Sequence, residues 1–254
     1  MRILGVDIGG SGIKGSPVDT NTGEMLGERF RIETPRPATK EAVLDTITQV
    51  AGHFDWQGPV GCGFPGVMRK GVAYTAANLD PSLVGVDLAG EIGQKLGQPT
   101  VVINDADAAG LAVMRFGVGR GEKGLVMVIT IGTGIGTALF YDGLLIPNNE
   151  LGHAQLKFKK VRKIHDAETM VADSARKRDD LTWKQWGARF TEYLKYMERL
   201  MNPDLFILGG GAAKKGDKFL EYLKVSTPLK TAMLENRAGI IGAAMASREF
   251  GAKA

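Results

Sequence analysis

Two glycine turns carry the strongest chemical signal in this chain. GGSGIKG spans residues 9–15 and GTGIGTA spans 132–138, each preceded by an apolar run and followed by another. A glycine turn between strands leaves backbone N–H groups facing a gap with no side chains in the way, a concave site suited to anionic oxygens such as phosphate. Singly, either turn is more often just a tight hairpin. The first, however, follows Asp7 and contains Lys14. A carboxylate at a strand end can hold Mg2+ through water, and an ammonium can meet a phosphate oxygen. The two turns together read as one supersecondary unit used twice.

Other residues of suitable type lie between and beyond the turns. Asn104-Asp105 falls where a short apolar strand ends and a helix begins, so Asp105 can accept a proton from an attacking hydroxyl while Asn104 orients the substrate. A plain helix cap is the competing reading, and both can hold. Glu150 and His153 sit three apart around a glycine, a spacing suited to the vicinal hydroxyls of a sugar. A metal role for His153 finds no cysteine nearby and only His165 as a histidine partner. Gly209, Gly210 and Gly211 follow another apolar run and suit either a nucleotide passing close to backbone or a simple turn. No Gly-Lys dipeptide occurs, which excludes a Walker phosphate loop, and GCGFPG at 61–66 has a proline where a dinucleotide site needs helix.

Positioning these groups requires alternating strands and helices. Apolar runs predict strands at 3–6, 13–18, 28–32, 60–64, 101–103, 125–131, 135–141 and 205–208, with Asp142-Gly143 as a hairpin turn. Thr39 can cap a helix over 40–51, Asp87 one reaching Leu96, and Asp105 or Asp107 one reaching about Phe116. Thr182 can cap a long helix to about Met201, stopped by Pro203, and a small-residue helix covers about 239–250. The class is α/β. Two lobes are expected, 1–104 and 105–237, each bringing a glycine turn toward a shared cleft, with the helix at 238–254 packing back on the first.

The 254 residues, 44% hydrophobic and 24% charged, describe a globular protein with enough apolar content for two cores. A single cysteine, Cys62, excludes an intrachain disulfide framework and a multi-cysteine zinc site, and fits a reducing compartment. No apolar run is long enough to span a bilayer, and Asp7 interrupts any leader-like start, so a cytoplasmic protein without membrane association is expected. Of the net charge of +4, residues 157–195 alone carry more than the total. Lys157, Lys159, Lys160, Arg162 and Lys163, continued by Arg176-Lys177-Arg178, form either a solvated face or a polyanion-binding strip. Phe158 is the sole aromatic in 157–182, so a nucleic-acid platform is not expected. The aromatics of 183–196 have core spacing.

DIGGSGIKG at 7–15, GFPGV at 63–67, NDADAAG at 104–110, TIGTGIGTAL at 130–139, ELGH at 150–153 and LGGG at 208–211 resemble, in order, the motifs of the ROK family of sugar kinases. TAANLDPSLVGVD at 75–87 is similar to its polyphosphate glucokinase branch, and the likeness extends over nearly the whole chain. The resemblance implies an actin/hexokinase-like (ribonuclease H-like) two-lobed fold, a homodimer, and phosphoryl transfer to the glucose 6-hydroxyl. It implies Asp105 as general base and Gly66, Asn78, Asn104, Glu150 and His153 as glucose ligands. Asp7, Gly9, Gly10 and Lys14 would form one phosphate loop, with Asp7 holding Mg2+ through water, and Thr130, Gly132, Thr133 and Gly134 the other. Most members carry a cysteine-rich zinc motif after the Gly-His pair; this chain lacks it, so no zinc is expected and Glu168 stands in for the sugar-binding glutamate of that motif.

The 157–163 strip suits inorganic polyphosphate, with ATP as a further donor through the glycines at 209–211. The rival readings are a strictly ATP-dependent hexose kinase, a sugar sensor without transfer, and a filament-forming actin relative. Nothing precedes residue 7 that resembles the DNA-binding extension of the family's repressors, which disfavours gene regulation.

Overall fold

The structure, a computed structural model, describes residues 1–159, 161–233 and 237–251. The chain divides into two compact units, Met1–Phe116 with Arg237–Ala254, and Gly117–Asn236.

The first unit opens with an antiparallel hairpin, β1 (Arg2–Gly9) and β2 (Gly12–Asp19), followed by the short strands β3 (Glu24–Met25) and β4 (Phe30–Ile32). Helix α1 (Lys40–His53) leads into β5 (Val60–Phe64), and the small pair β6 (Met68–Arg69) and β7 (Val72–Ala73) precedes α2 (Leu88–Leu96). Strand β8 (Thr100–Asn104) then runs directly into α3 (Asp105–Phe116). The sheet order is β3-β2-β1-β5-β8, with β4 beside β2; β1, β5 and β8 are parallel.

Local chemistry explains most of these elements. Thr39 accepts from the Ala42 N–H and Asp87 from the Gly90 N–H, capping α1 and α2 as their sequences suggest. The predicted strand at 28–32 is shortened to Phe30–Ile32, and Pro17 supplies the reason: it has no N–H for the ladder, so pairing with β2 resumes only at Phe30. The C-terminal helix (Ala238–Phe250) lies on this sheet at backbone contact. A Cβ on Gly61 would stand 1.8 Å from the Ala243 carbonyl oxygen, and one on Gly242 would stand 1.5 Å from that of Ala108. Its run of small residues is the condition for that approach. Because α3 packs along the same helix, the division between units falls after Phe116, whereas the sequence reading put it after residue 104.

The second unit repeats the plan. Strands β9 (Leu125–Ile131) and β10 (Ile135–Tyr141) form a hairpin, and β11 (Leu144–Ile146) follows a turn in which Asp142 (φ 49°) and Gly143 (φ 81°) are both left-handed. Next come β12 (Gln155–Leu156), β13 (His165–Asp166), α4 (Glu168–Val171), α5 (Asp173–Arg178) and α6 (Trp183–Met201). Strand β14 (Leu205–Gly209), α7 (Gly210–Ala213) and β15 (Leu229–Thr231) complete it. The order β11-β10-β9-β14-β15 again joins an antiparallel hairpin to parallel strands. Thr182 and Gln185 form a reciprocal capping box at the start of α6, and Asn202 ends it in the left-handed region ahead of Pro203. Trp186, Phe190, Tyr193, Leu194 and Met197 share one face of α6 and are fully buried, each contributing about 1.5–3 kcal/mol of apolar transfer.

This duplicated hairpin-plus-parallel order is the actin/hexokinase-like, ribonuclease H-like α/β fold. Among the described residues, no helix is long and apolar enough to cross a membrane.

Candidate active site

In the first unit, strand register gathers the functional groups at one sheet edge. Asp7 is opposite Gly63 across the β1/β5 ladder, and Gly63 is opposite Ile103 across β5/β8. The three parallel strands therefore finish together, so the turn after Gly9, the 64–66 segment and Asn104-Asp105 leave the same edge. Carboxyl ends of parallel strands are where α/β sheets place ligands. At the 9–12 turn, the Gly9 carbonyl accepts from the Thr34 hydroxyl and the Ser11 carbonyl accepts from Arg31 at 2.5 Å. Asn78, itself left-handed (φ 60°), packs against Gly10 so closely that a Cβ there would lie 2.8 Å from the Asn78 Cβ. This puts one predicted sugar ligand beside the first glycine turn.

Asn104 answers the question of the helix cap. Its Oδ1 accepts from the N–H groups of Ala106 (2.8 Å) and Asp107 (3.0 Å), and its Nδ2 donates to the Gly66 carbonyl at 3.1 Å. Asn104 caps α3, where the sequence reading offered Asp105 or Asp107. Asp105 becomes the first helical residue and is half-buried. Lys14 is opposite Asp7 in the β1/β2 ladder, and its ammonium pairs with the Asp7 carboxylate at 3.2 Å.

In the second unit, Gly209 is in register with Thr130, so the 132–134 turn and the 209–211 glycines also leave one edge. Gly210 (φ 80°) passes so near β9 that a Cβ would lie 2.6 Å from the Ile131 backbone. The start of α5 clamps the 132–134 turn: Asp173 and Ser174 N–H groups donate to the Gly132 carbonyl, and the Ser174 hydroxyl donates to that of Thr133. Glu168 clamps its far end, Oε2 accepting from the Ile135 N–H at 3.1 Å. Sequence reasoning placed Glu168 among the sugar ligands; in the structure at least one of its oxygens braces the end of the 132–134 turn.

Glu150 and His153 flank a short 3-10 turn, with His153 Nε2 3.8 Å from Glu150 Oε2. His153 Nδ1 lies 3.0 Å from Asp166 Oδ2. Burial pushes the Glu150 carboxyl up; the His153 charge opposes this and the Glu168 charge adds to it. For His153, burial works against the proton, but the Asp166 hydrogen bond and the charges of Glu168, Asp166 and Glu150 outweigh it and raise the imidazole. The search for metal partners by cysteine and histidine overlooked the carboxylates here: one ligand atom each from His153, Asp166 and Glu168 lie within 4.8 Å of one another. The only sequence signal for Asp166 was its place two residues before Glu168.

Lys157, Lys159, Arg162 and Lys163 are exposed, and among the described residues none forms an ion pair with an acidic side chain. Lys160 lies outside the described residues. Arg176 and Lys177 pair with Asp173, and Arg178 with Asp179.

The sequence model of the ROK family matches residues 3–168. A polyphosphate glucokinase of Mycobacterium tuberculosis (strain CDC 1551 / Oshkosh) is 47% identical over 245 residues, 96% of this chain and 90% of that protein. The crystal structure of an inorganic polyphosphate/ATP-glucomannokinase from Arthrobacter sp. strain KM superposes with a TM-score of 0.88 at 46% identity, covering 96% of this chain and 97% of that one. A ROK glucokinase from Streptomyces griseus, in complex with glucose and AMPPNP, shares the fold at a TM-score of 0.81 and 23% identity, covering 98% and 100%. Ordered motifs, a duplicated sheet plan and this likeness over almost the full length lead to one assignment: the chain belongs to the ROK family.

Proposed function

We propose that the protein is a glucokinase that transfers a phosphoryl group from inorganic polyphosphate, and also from ATP, to the 6-hydroxyl of glucose. The observation that carries this reading is the register Asp7–Gly63–Ile103, by which the first phosphate turn and Asp105 leave the same sheet edge. Relatives whose names carry polyphosphate support the donor. Lys157, Lys159, Arg162 and Lys163, exposed and without an ion pair among the described residues, also support it, since a flexible chain of closely spaced negative charges is drawn by such a strip in a salt-sensitive way. The glycines at 209–211 are assigned to ATP.

In this mechanism Asp105 takes the proton of the sugar hydroxyl, while Asn78, Asn104, Gly66, Glu150, His153 and Glu168 orient the sugar. Asn104 acts chiefly through the cap and the Gly66 bond that hold Asp105 in place. The turns at 9–12 and 132–134 offer backbone N–H groups to the donor's phosphates, and Lys14 neutralises charge on the transferring group. Asp7 fits a Mg2+ site: it is the sole carboxylate of the first turn, partly exposed, and a hard cation that keeps its waters needs one such oxygen donor beside the phosphates. When bound, the ion supplies positive charge to the donor. The protein is further assigned to the cytoplasm and to a homodimer, without zinc or nucleic acid.

A matrix of polyphosphate and ATP against glucose and mannose, read by sugar 6-phosphate formation, tests the reading. Asp105→Asn is expected to lower turnover by about 10²–10⁴-fold while sparing glucose binding. Near-normal turnover in that variant refutes the base assignment, and no sugar phosphate from either donor refutes the kinase.

A further inference from the structure

We infer that Asp166 is a positioning residue for His153, fixing the imidazole tautomer that recognises the sugar. The inference rests on the reading of Glu150 and His153 as sugar ligands and extends it to a residue outside the family motifs quoted above. A carboxylate facing a ring nitrogen at 3.0 Å can only accept, so Nδ1 of His153 must carry the proton. In the neutral ring, Nε2 is then an acceptor. It lies 3.8 Å from Glu150 Oε2, too far for a hydrogen bond between them, so the two acceptors stand side by side. Such a pair suits two donating hydroxyls on neighbouring carbons.

Asp166 is itself held from several directions. Its second oxygen accepts from the Glu168 N–H at 3.2 Å, and its carbonyl accepts from the Thr169 hydroxyl at 2.7 Å. The β12/β13 ladder pairs it with Gln155, two residues beyond His153. One carboxylate thus joins the imidazole to the start of α4, whose Glu168 braces the phosphate turn at Ile135. Both oxygens of Asp166 act as acceptors, and this is what an amide cannot copy. Asparagine at this position offers one acceptor and one donor, so it either abandons the Glu168 N–H or donates to Nδ1 and forces the proton to Nε2.

The test uses the full chain, whose three histidines make nitrogen-15 spectra of the imidazoles assignable with a His153→Gln control. At a pH alkaline enough for the imidazole to be neutral, the wild type is expected to show the Nδ1–H tautomer at His153. Asp166→Asn is expected to switch it to Nε2–H and to raise the glucose KM by about ten-fold or more, with the polyphosphate KM within about two-fold of wild type. Asp166→Ala, which frees the ring without reversing it, is expected to raise the glucose KM no more than Asp166→Asn does. A merely structural role predicts the opposite order, with the near-isosteric amide benign and alanine harmful. An Nε2–H tautomer in the wild type overturns the proposal, as does an unchanged tautomer and KM in Asp166→Asn. Stoichiometric divalent metal in the wild type that is lost with Asp166→Asn overturns it too, because Asp166 is then a ligand. A wild type that fails to phosphorylate glucose refutes the kinase reading, while the spectra still decide whether Asp166 sets the tautomer.

Discussion

Asn104→Ala deletes at least three hydrogen bonds at a residue only 7% exposed, among them two accepted by Oδ1 from the Ala106 and Asp107 N–H groups and one donated by Nδ2 to the Gly66 carbonyl. Loss of a cap costs about 1 kcal/mol. A carbonyl stripped of its partner in a buried place costs about 1–3 kcal/mol more. The sum, about 2–4 kcal/mol, corresponds to a melting point lower by about 4–16 °C in a protein of this size. Asn104→Asp should fall between wild type and alanine, because a carboxylate keeps the cap and is favoured at a helix N-terminus, yet it cannot donate to Gly66. Calorimetry of the three proteins gives the order, and sugar phosphate formation well below each melting point shows whether Asp105, the first residue of α3, has lost its placement. An alanine variant melting within about 1 °C of wild type, or an aspartate variant melting below the alanine one, refutes the reasoning.

Tyr193 is fully buried and, among the described residues, its hydroxyl has no hydrogen-bond partner; burial pushes its ionisation well up. Tyr193→Phe is therefore expected to leave stability unchanged or raise it by about 1 kcal/mol in denaturant unfolding, and a clear loss would mean that the hydroxyl is satisfied in solution. Asp179 is held down at about 2 by Arg178 and Arg189. Since its folded value is depressed below 3.8, its contribution is present above that pH and disappears as pH falls toward 2. The stability difference between wild type and Asp179→Asn should then be constant near neutrality and shrink through this acid window. A pH-independent difference refutes the pairing.

Much of the architecture could be read from short stretches of chain. The caps Thr39, Asp87 and Thr182, the left-handed Asp142-Gly143 turn, the stop at Pro203 and the buried face of α6 all depend on residues within a turn or two of one another. The repeated glycine motif likewise announced the duplicated hairpin. The strand at 28–32 was read two residues too long because its start depends on Pro17, which belongs to the neighbouring strand of the ladder and not to the stretch itself. The helix over 105–116 was correctly recognised, but its cap was not, since Asn, Asp and Asp stood within four positions and only hydrogen-bond geometry separates them.

For the candidate site, residue types and order were legible, while partnerships were not. Sequence alone determined which groups are available: two glycine turns, an aspartate at a strand end, a glutamate and a histidine across a glycine, and a basic run. Their wiring was decided by the folded chain. Register aligned Asp7 with Ile103 through Gly63, the buried Asn104 amide took the cap of α3, and a two-stranded ladder brought Asp166 to His153. The physical reason is range: propensity and capping act over a few residues, whereas which acceptor meets which donor is set by strand pairing and helix packing between segments that the linear order keeps apart.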